Sequence, residues 1–238
     1  MCQLITLADA ALDPALTRDG TQPLLTYYND ATGERTELSG LTAANWAAKT
    51  ANMIRDEFGL TPGDVVAVDL PAHWQTAGVL LGAWWAGMHV RLGYSEDAAL
   101  AFCSMDTLAA MDQAPEIAVV SLDPFGMPMR NLPIGLTDYA ASVRVHGDQF
   151  RPSGSGDLAL DDRTVAEIVS AATASADAVA IVAGSRVMST GTWDSTDNLI
   201  THLLTPLIAG GSLVQVAHPD EAKLASRAAT EKVTATLS

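Results

Sequence analysis

Val65-Val-Ala-Val-Asp-Leu70 is an almost uninterrupted apolar run, the pattern of a strand covered on both faces. Similar short runs at Met88–Leu92, Ile117–Leu122, Ala178–Ala183 and Ser212–Ala217 predict further strands. Arg186–Ser189 and Val233–Leu237 predict two more. Leu24–Tyr28 and Arg35–Leu38 flank the turn-rich stretch Asn29-Asp-Ala-Thr-Gly33 and read as a hairpin. Between the strands the period changes to that of helices. Ser39 is placed to cap a helix over Leu41–Phe58, with Trp46, Thr50, Met53 and Phe58 toward one side and Gly59 as its stop. His73–Ala86 is apolar all round, which predicts a helix buried on more than one side and ended by Gly87. A short helix is expected over Thr107–Asp112, and longer ones over Asp161–Ala172, Thr196–Ala209 and from Pro219, taken as the first helical residue, to Lys232. The recurring order of strand and helix predicts an α/β fold of mostly parallel sheet layers flanked by helices. Residues 123–157 break the rhythm with Pro124, Pro128, Pro133 and Pro152. The chain is read as one domain over 1–238, with an internal subdomain junction near 151–157.

Charge narrows the partners. The 238 residues carry 28 acidic and 13 basic side chains, a formal charge of −15. Nucleic acid and anionic membrane surfaces call for clustered Lys and Arg, so both are excluded as partners. Residues 1–20 have no basic start, and Asp9 and Asp13 interrupt their apolar run, so no secretion leader is expected. The longest apolar candidate, Thr76–Val90, is too short to span a bilayer. Cys2 and Cys103 are too few for a disulfide scaffold and fit a cytoplasmic location.

The sequence offers little dedicated chemistry. A phosphate-binding Walker loop needs glycines followed by Lys and Ser or Thr, and the lysines are Lys49, Lys223 and Lys232 alone, none of them in such a context. No dinucleotide fingerprint follows a strand. Ser153-Gly-Ser-Gly156 could turn backbone N–H groups toward an anion, but Asp157 follows directly and a linker is the expected reading. No two of His73, His89, His146, His202 and His218 have the spacing of a zinc helix, so no metal is expected. No G-x-S-x-G elbow is present, and Cys103 between Phe102 and Ser104 reads as a buried, inert thiol. No catalytic or cofactor-binding residue and no cofactor is therefore assigned. Ligand-pocket candidates come from position. His73 and Trp74 stand just past the carboxyl end of the Val65–Leu70 strand, where open α/β sheets collect ligands. Trp193 and Asp194 follow a short strand in the same way, and His202 lies on the next helix.

The order of several segments resembles the opening of the acyl-CoA synthetase and peptide-adenylating, AMP-binding superfamily. Leu25-Thr-Tyr-Tyr, Leu38-Ser-Gly-Leu41 and a helix containing Asn52 precede Gly59-Leu-Thr-Pro-Gly-Asp-Val-Val-Ala-Val68, which is similar to that family's turn and strand. Gly82-Ala-Trp-Trp-Ala-Gly-Met88 is similar to its next helix exit, Leu204-Thr-Pro-Leu-Ile-Ala-Gly-Gly-Ser-Leu-Val214 to its PLxxGGxxVL segment, and Glu231-Lys-Val-Thr-Ala235 to a later strand. More closely, the chain resembles a small actinobacterial group of about this length. The resemblance implies a reduced synthetase N-terminal-domain-like fold.

The departures bear on function. The family's Ser/Thr/Gly-rich phosphate loop ending in Pro-Lys should fall within Arg151–Arg163, which holds no lysine. The family's histidine after PLF has no counterpart in Ser189-Thr-Gly-Thr-Trp193. Nothing up to Ser238 matches the adenine-binding strand, the ribose-binding Asp or the small domain with the catalytic Lys. Adenylation requires groups that neutralise charge on the transferring phosphoryl. The expected function is thus a non-adenylating, degenerate relative that binds a small acyl or aromatic ligand or serves as a scaffold. The alternative is an enzyme of the AMP-dependent synthetase type or with reassigned chemistry through His73, Asp194 or His202. A homodimer is also expected. Adjacent Trp84 and Trp85 point about 100° apart on a helix, and one sheet contact cannot easily bury both. The competing reading is that the N-terminal segment or residues 123–157 cover the second ring.

Overall fold

The computed structural model describes residues 6–237; Cys2 lies outside them. In chain order the helices and strands are α1 Leu7–Asp19, β1 Pro23–Asn29, β2 Glu34–Ser39, α2 Gly40–Asp56, β3 Val65–Asp69, α3 Trp74–Trp85, β4 His89–Leu92, β5 Leu100–Cys103, β6 Glu116–Val119, β7 Thr137–Asp138, α4 Tyr139–Ser142, α5 Val165–Ala178, β8 Arg186–Ser189, α6 Thr196–Leu199, α7 Thr205–Ile208, β9 Ser212–Ala217, α8 Glu221–Thr230 and β10 Ala235–Leu237. Short 3₁₀ turns fall at Leu108–Ala110 and Val143–Val145, and a π-helical turn, Ile200–Leu204, joins α6 to α7.

The chain folds as two units. The first holds Ala44–Pro71 and Gln75–Val165 with the segment ending at Asp9; the second holds Ala10–Ala43, Ala72–Trp74 and Ala166 onward. Arg151–Asp157 lies inside the first unit.

The first unit is built on a five-stranded, wholly parallel sheet of order β4-β3-β5-β6-β7. Its inner strands β3, β5 and β6 are short and largely apolar, and Ala67, Ala101, Cys103, Ile117 and Val119 form a buried cluster with Met111. The central strand β5 is absent from the sequence reading. Ala98-Ala-Leu-Ala-Phe-Cys103 carries no period-2 alternation and is rich in Ala, a helix former; burial between β3 and β6 overrides that preference.

The adjacent Trp84 and Trp85 of α3 are both occupied within this unit. The Trp84 indole is buried and donates to the Ala159 carbonyl at 2.9 Å. Trp85 donates to Asp9 Oδ1 at 2.8 Å and packs near the Phe150 ring. The N-terminal segment and the 123–160 region thus cover the helix from within the chain. Trp84 is thereby enclosed and Trp85 half-buried, the arrangement expected if the chain itself covers the helix.

Ser153–Gly156 is not a free linker. Gly156 N–H donates to the Gly87 carbonyl at 3.2 Å, as does Gly63 N–H at 2.9 Å. A Cβ on Gly156 would lie 2.6 Å from Gly63 Cα. These glycines permit backbone to pack on backbone.

The second unit holds a five-stranded sheet of order β10-β8-β9-β1-β2, parallel except for the β1–β2 hairpin at one edge. On one face Met188, Val214 and Val216 pack with Tyr28 and with Leu224 and Ala228 of α8. On the other, Val187 and Leu237 pack with Ala176, Ile181 and Ala209. The expected strand Ala178–Ala183 is instead the end of α5 and its exit turn. Ile181 N–H closes onto the Ala176 carbonyl at 2.9 Å, and Ile181 is buried while Val179 and Val182 are exposed. The helix expected over Asp161–Ala172 accordingly runs later, over Val165–Ala178. Pro219 lies outside α8, whose cap is Asp220, its side chain accepting from Ala222 N–H. The sequence reading missed α1, whose start is marked by Thr6-Leu-Ala-Asp9, a capping box in which each side chain accepts the other's backbone N–H, at 3.2 and 2.8 Å.

Candidate functional site

All five pocket candidates lie in the second unit, about the carboxyl ends of its strands. Ser189, Gln215 and Tyr27 pair in register across β8, β9 and β1, so their side chains share one face. At about 4.8 Å per strand the row spans about 10 Å. Trp193, Asp194 and His202 gather at its Ser189 end; His73 and Trp74 stand at its Tyr27 end.

At the Ser189 end the chain leaves β8 through Thr190-Gly-Thr-Trp-Asp194 and enters α6, capped by Ser195. Ser189 is fully buried and its Oγ lies 2.9 Å from His202 Nδ1. Gly191 N–H donates to the same Oγ at 3.2 Å, and the Gly191 carbonyl accepts from Gln215 Nε2 at 2.9 Å. His202 sits on the π-helical turn, a distortion frequent at functional sites because one extra residue re-aims the side chains around it. Burial pushes the His202 imidazole below its ordinary range, partly opposed by the charge of Asp194, so it is neutral at neutral pH. Asp194 is exposed. Its Oδ1 accepts from Asn198 Nδ2 and Thr192 Oγ1, both at 2.8 Å, and these bonds hold its carboxyl below the usual carboxylate range. The chain thus has a serine–histidine contact whose imidazole is held by no carboxylate hydrogen bond among the described residues. The serine is also shielded from solvent. The contact, with the Gly191 bonds, orders the turn that follows β8.

Gly191 is required there by close approach. A Cβ would fall 2.3 Å from His202 Nε2. Gly191→Ala is expected to push the imidazole off Ser189 and to cost about 2 kcal/mol through overpacking. Urea denaturation reads the loss, and the His202 ring resonances report the lost contact.

Two buried polar atoms of this cluster have no hydrogen-bond partner among the described residues: the Trp193 Nε1–H donor and the Gln215 Oε1 acceptor. Buried groups of this kind are normally satisfied, and their exposure to nothing in the protein costs free energy unless water or a ligand supplies the partner.

At the other end, Tyr27 packs edge-on against the His73 ring with centroids 4.5 Å apart, and Trp74 lies 5.6 Å from it. Glu34 Oε1 is 3.5 Å from His73 Nε2, both side chains buried. Burial, with the nearby Glu34 charge second, pushes the Tyr27 phenol up to about 12. Sequence reading missed Ser189, Gln215, Tyr27 and Glu34 as members of this surface. Gln215 carried a usable signal, a lone amide inside the apolar strand Ser212–Ala217. The others became visible only through strand register.

Among the described residues no group of three or more His, Cys, Asp or Glu could hold a metal ion, and no helix is long and apolar enough to cross a membrane. On the opposite face of the same sheet, beside the apolar packing under α8, lies a cluster of ion pairs. Glu231 binds Arg186 at 2.5 Å and Arg35 at 2.9 Å, and accepts from the Tyr28 hydroxyl at 2.6 Å.

The chain is 52% identical over 239 residues to a Mycobacterium tuberculosis (strain ATCC 25618 / H37Rv) protein described as "TIGR03089 family protein", covering 98% of both chains. No family model matches it. Among solved structures it superposes on a Brucella canis acyl-CoA synthetase with a TM-score of 0.81 at 17% identity, covering 98% of this chain and 47% of that one. It superposes on the anthranilate CoA ligase AuaEII, solved with anthranoyl-AMP, with a TM-score of 0.73 at 12% identity, covering 97% and 48%. The chain therefore has the α/β fold of these enzymes and spans about half their length.

Proposed function

The chain belongs to the TIGR03089 family, and from that premise we propose that it is a non-adenylating relative of the acyl-CoA synthetases. In this reading it works in the cytoplasm, binding a small acyl or aromatic ligand at the carboxyl ends of β8, β9 and β1. The reading rests on the buried, unpartnered Trp193 Nε1–H and Gln215 Oε1, a donor and an acceptor beside an ordered turn. A ligand with one acceptor and one donor would satisfy both and recover their desolvation cost. His73 and Trp74 would form the far apolar wall.

The case against adenylation is electrostatic. Within Arg151–Arg163 there is no lysine, and Asp157, Asp161 and Asp162 are present. The Gly156 N–H that a phosphate would need is spent on Gly87. Calorimetric titration with Mg-ATP is expected to show no binding in the low micromolar range; such affinity would overturn the proposal. Titration with benzoate is expected to quench indole fluorescence saturably, and Trp193→Phe to abolish the change. Benzoate that leaves the fluorescence untouched counts against this ligand class at this site.

A further inference from the structure

We propose that the first unit carries a second binding site, a groove for a small organic monocarboxylate, separate from the surface in the second unit. The groove has a volume of about 600 Å³, the size of a small-molecule site, and is lined by Ser121, Asp123, Met127, Met129, Arg130 and Asn131, with Pro128 between. It lies just beyond the carboxyl end of β6, where parallel sheets collect ligands.

The walls are fixed before any ligand arrives. Leu122 adopts φ +53°, a left-handed conformation uncommon for a bulky side chain. Asp123 Oδ1 then accepts the N–H groups of Phe125 at 2.8 Å and Met127 at 3.1 Å, and Gln75 Nε2 donates to the Asp123 carbonyl at 2.9 Å. Farther along, Asp138 Oδ2 accepts from Met129 N–H at 2.6 Å, and Arg144 donates to the Gly126 carbonyl at 2.7 Å. Met129, Leu132 and Leu136 anchor the segment on the Ile117 and Val119 core.

Three features choose the ligand. Met127, Pro128 and Met129 offer an adaptable apolar wall, since methionine adjusts to irregular shapes. Among the described residues Arg130 has no carboxylate partner, and its planar fork suits a carboxylate, with Ser121 and Asn131 as further donors. That is notable in a chain with 13 basic residues against 28 acidic ones. Asp123 in the same wall opposes a second negative charge, so a monoanion is favoured over a phosphate dianion.

The test uses the full chain labelled at the methionine methyls and octanoate as probe. Octanoate is expected to shift the Met127 and Met129 signals saturably. Octanol, without the charge, and octyl phosphate, with more of it, are expected to bind at least tenfold more weakly. Arg130→Gln should weaken octanoate at least tenfold and Arg130→Lys less. The side chain is exposed and bonds to none of the described residues, so an unchanged thermal midpoint verifies the fold. The proposal is overturned if octanoate leaves both methyl signals in place, if Arg130→Gln binds as tightly as the parent, or if octyl phosphate binds more tightly. Trp193→Phe must leave these methyl shifts intact, which separates this site from the ligand surface of the second unit.

Discussion

Glu231→Gln is expected to lower the free energy of unfolding by about 3 kcal/mol at neutral pH, because it removes the anion from a pair that stays buried. Glu231 is 7% exposed and Arg186 is 15% exposed, and they meet at 2.5 Å. Arg186 also donates through Nε to the Glu231 carbonyl and through its terminal nitrogen to Thr26 Oγ1. The network ties the end of α8 to β8 and β1. Arg35 contributes less, being 44% exposed and screened by solvent. Burial raises the Glu231 carboxyl, but hydrogen bonds from Tyr28, Arg186 and Arg35 outweigh it and hold the group down at about 2, against an ordinary 4.5. A carboxylate depressed on folding contributes stability above its unfolded pKa, and that stability is lost as pH falls through the folded value. The parent should therefore lose stability between about pH 4.5 and 2. In Glu231→Gln that part of the acid limb should flatten. Urea titrations of both proteins across this range decide the matter: equal midpoints at neutral pH, or equal acid slopes, would show that the pair contributes nothing net.

Trp84→Ala is expected to cost about 4 kcal/mol, the range for deleting a large buried ring. The ring is 1% exposed. Its removal opens a cavity and also deprives the Ala159 carbonyl of its indole donor. Trp84→Phe separates the two effects, since it keeps most of the volume and loses the hydrogen bond, and should cost about half as much. A Trp84→Ala variant with unchanged stability and a lower sedimentation mass would instead place this ring at an interface between copies.

The alternation and apolar runs were sufficient for the hairpin β1–β2, for β3, β4, β6 and β9, and for helices α2, α3 and α8 to within a few residues. In each, local preference and burial point the same way. They part at β5 and at Ala178–Ala183. Both are Ala-rich apolar runs, and hydrophobicity alone does not say whether such a run will be a strand or the end of a helix. Pairing with β3 and β6 decides the first, and closure of α5 onto Ile181 decides the second.

Residue type and position along the chain nominate His73, Trp74, Trp193, Asp194 and His202 as candidates, because each follows a strand predicted from its own residues or stands on the next helix. The sequence by itself also determined the charge balance and the absence of a lysine from Arg151–Arg163. Only the tertiary structure decided that Ser189, Gln215 and Tyr27 form one row, since register depends on which strands become neighbours. It likewise decided that His202 is held by Ser189 and not by Asp194, and that Trp85 belongs to Asp9, 76 residues earlier in the chain. Those pairings are fixed by the packing of segments remote in sequence, and such packing leaves no periodic trace along the chain.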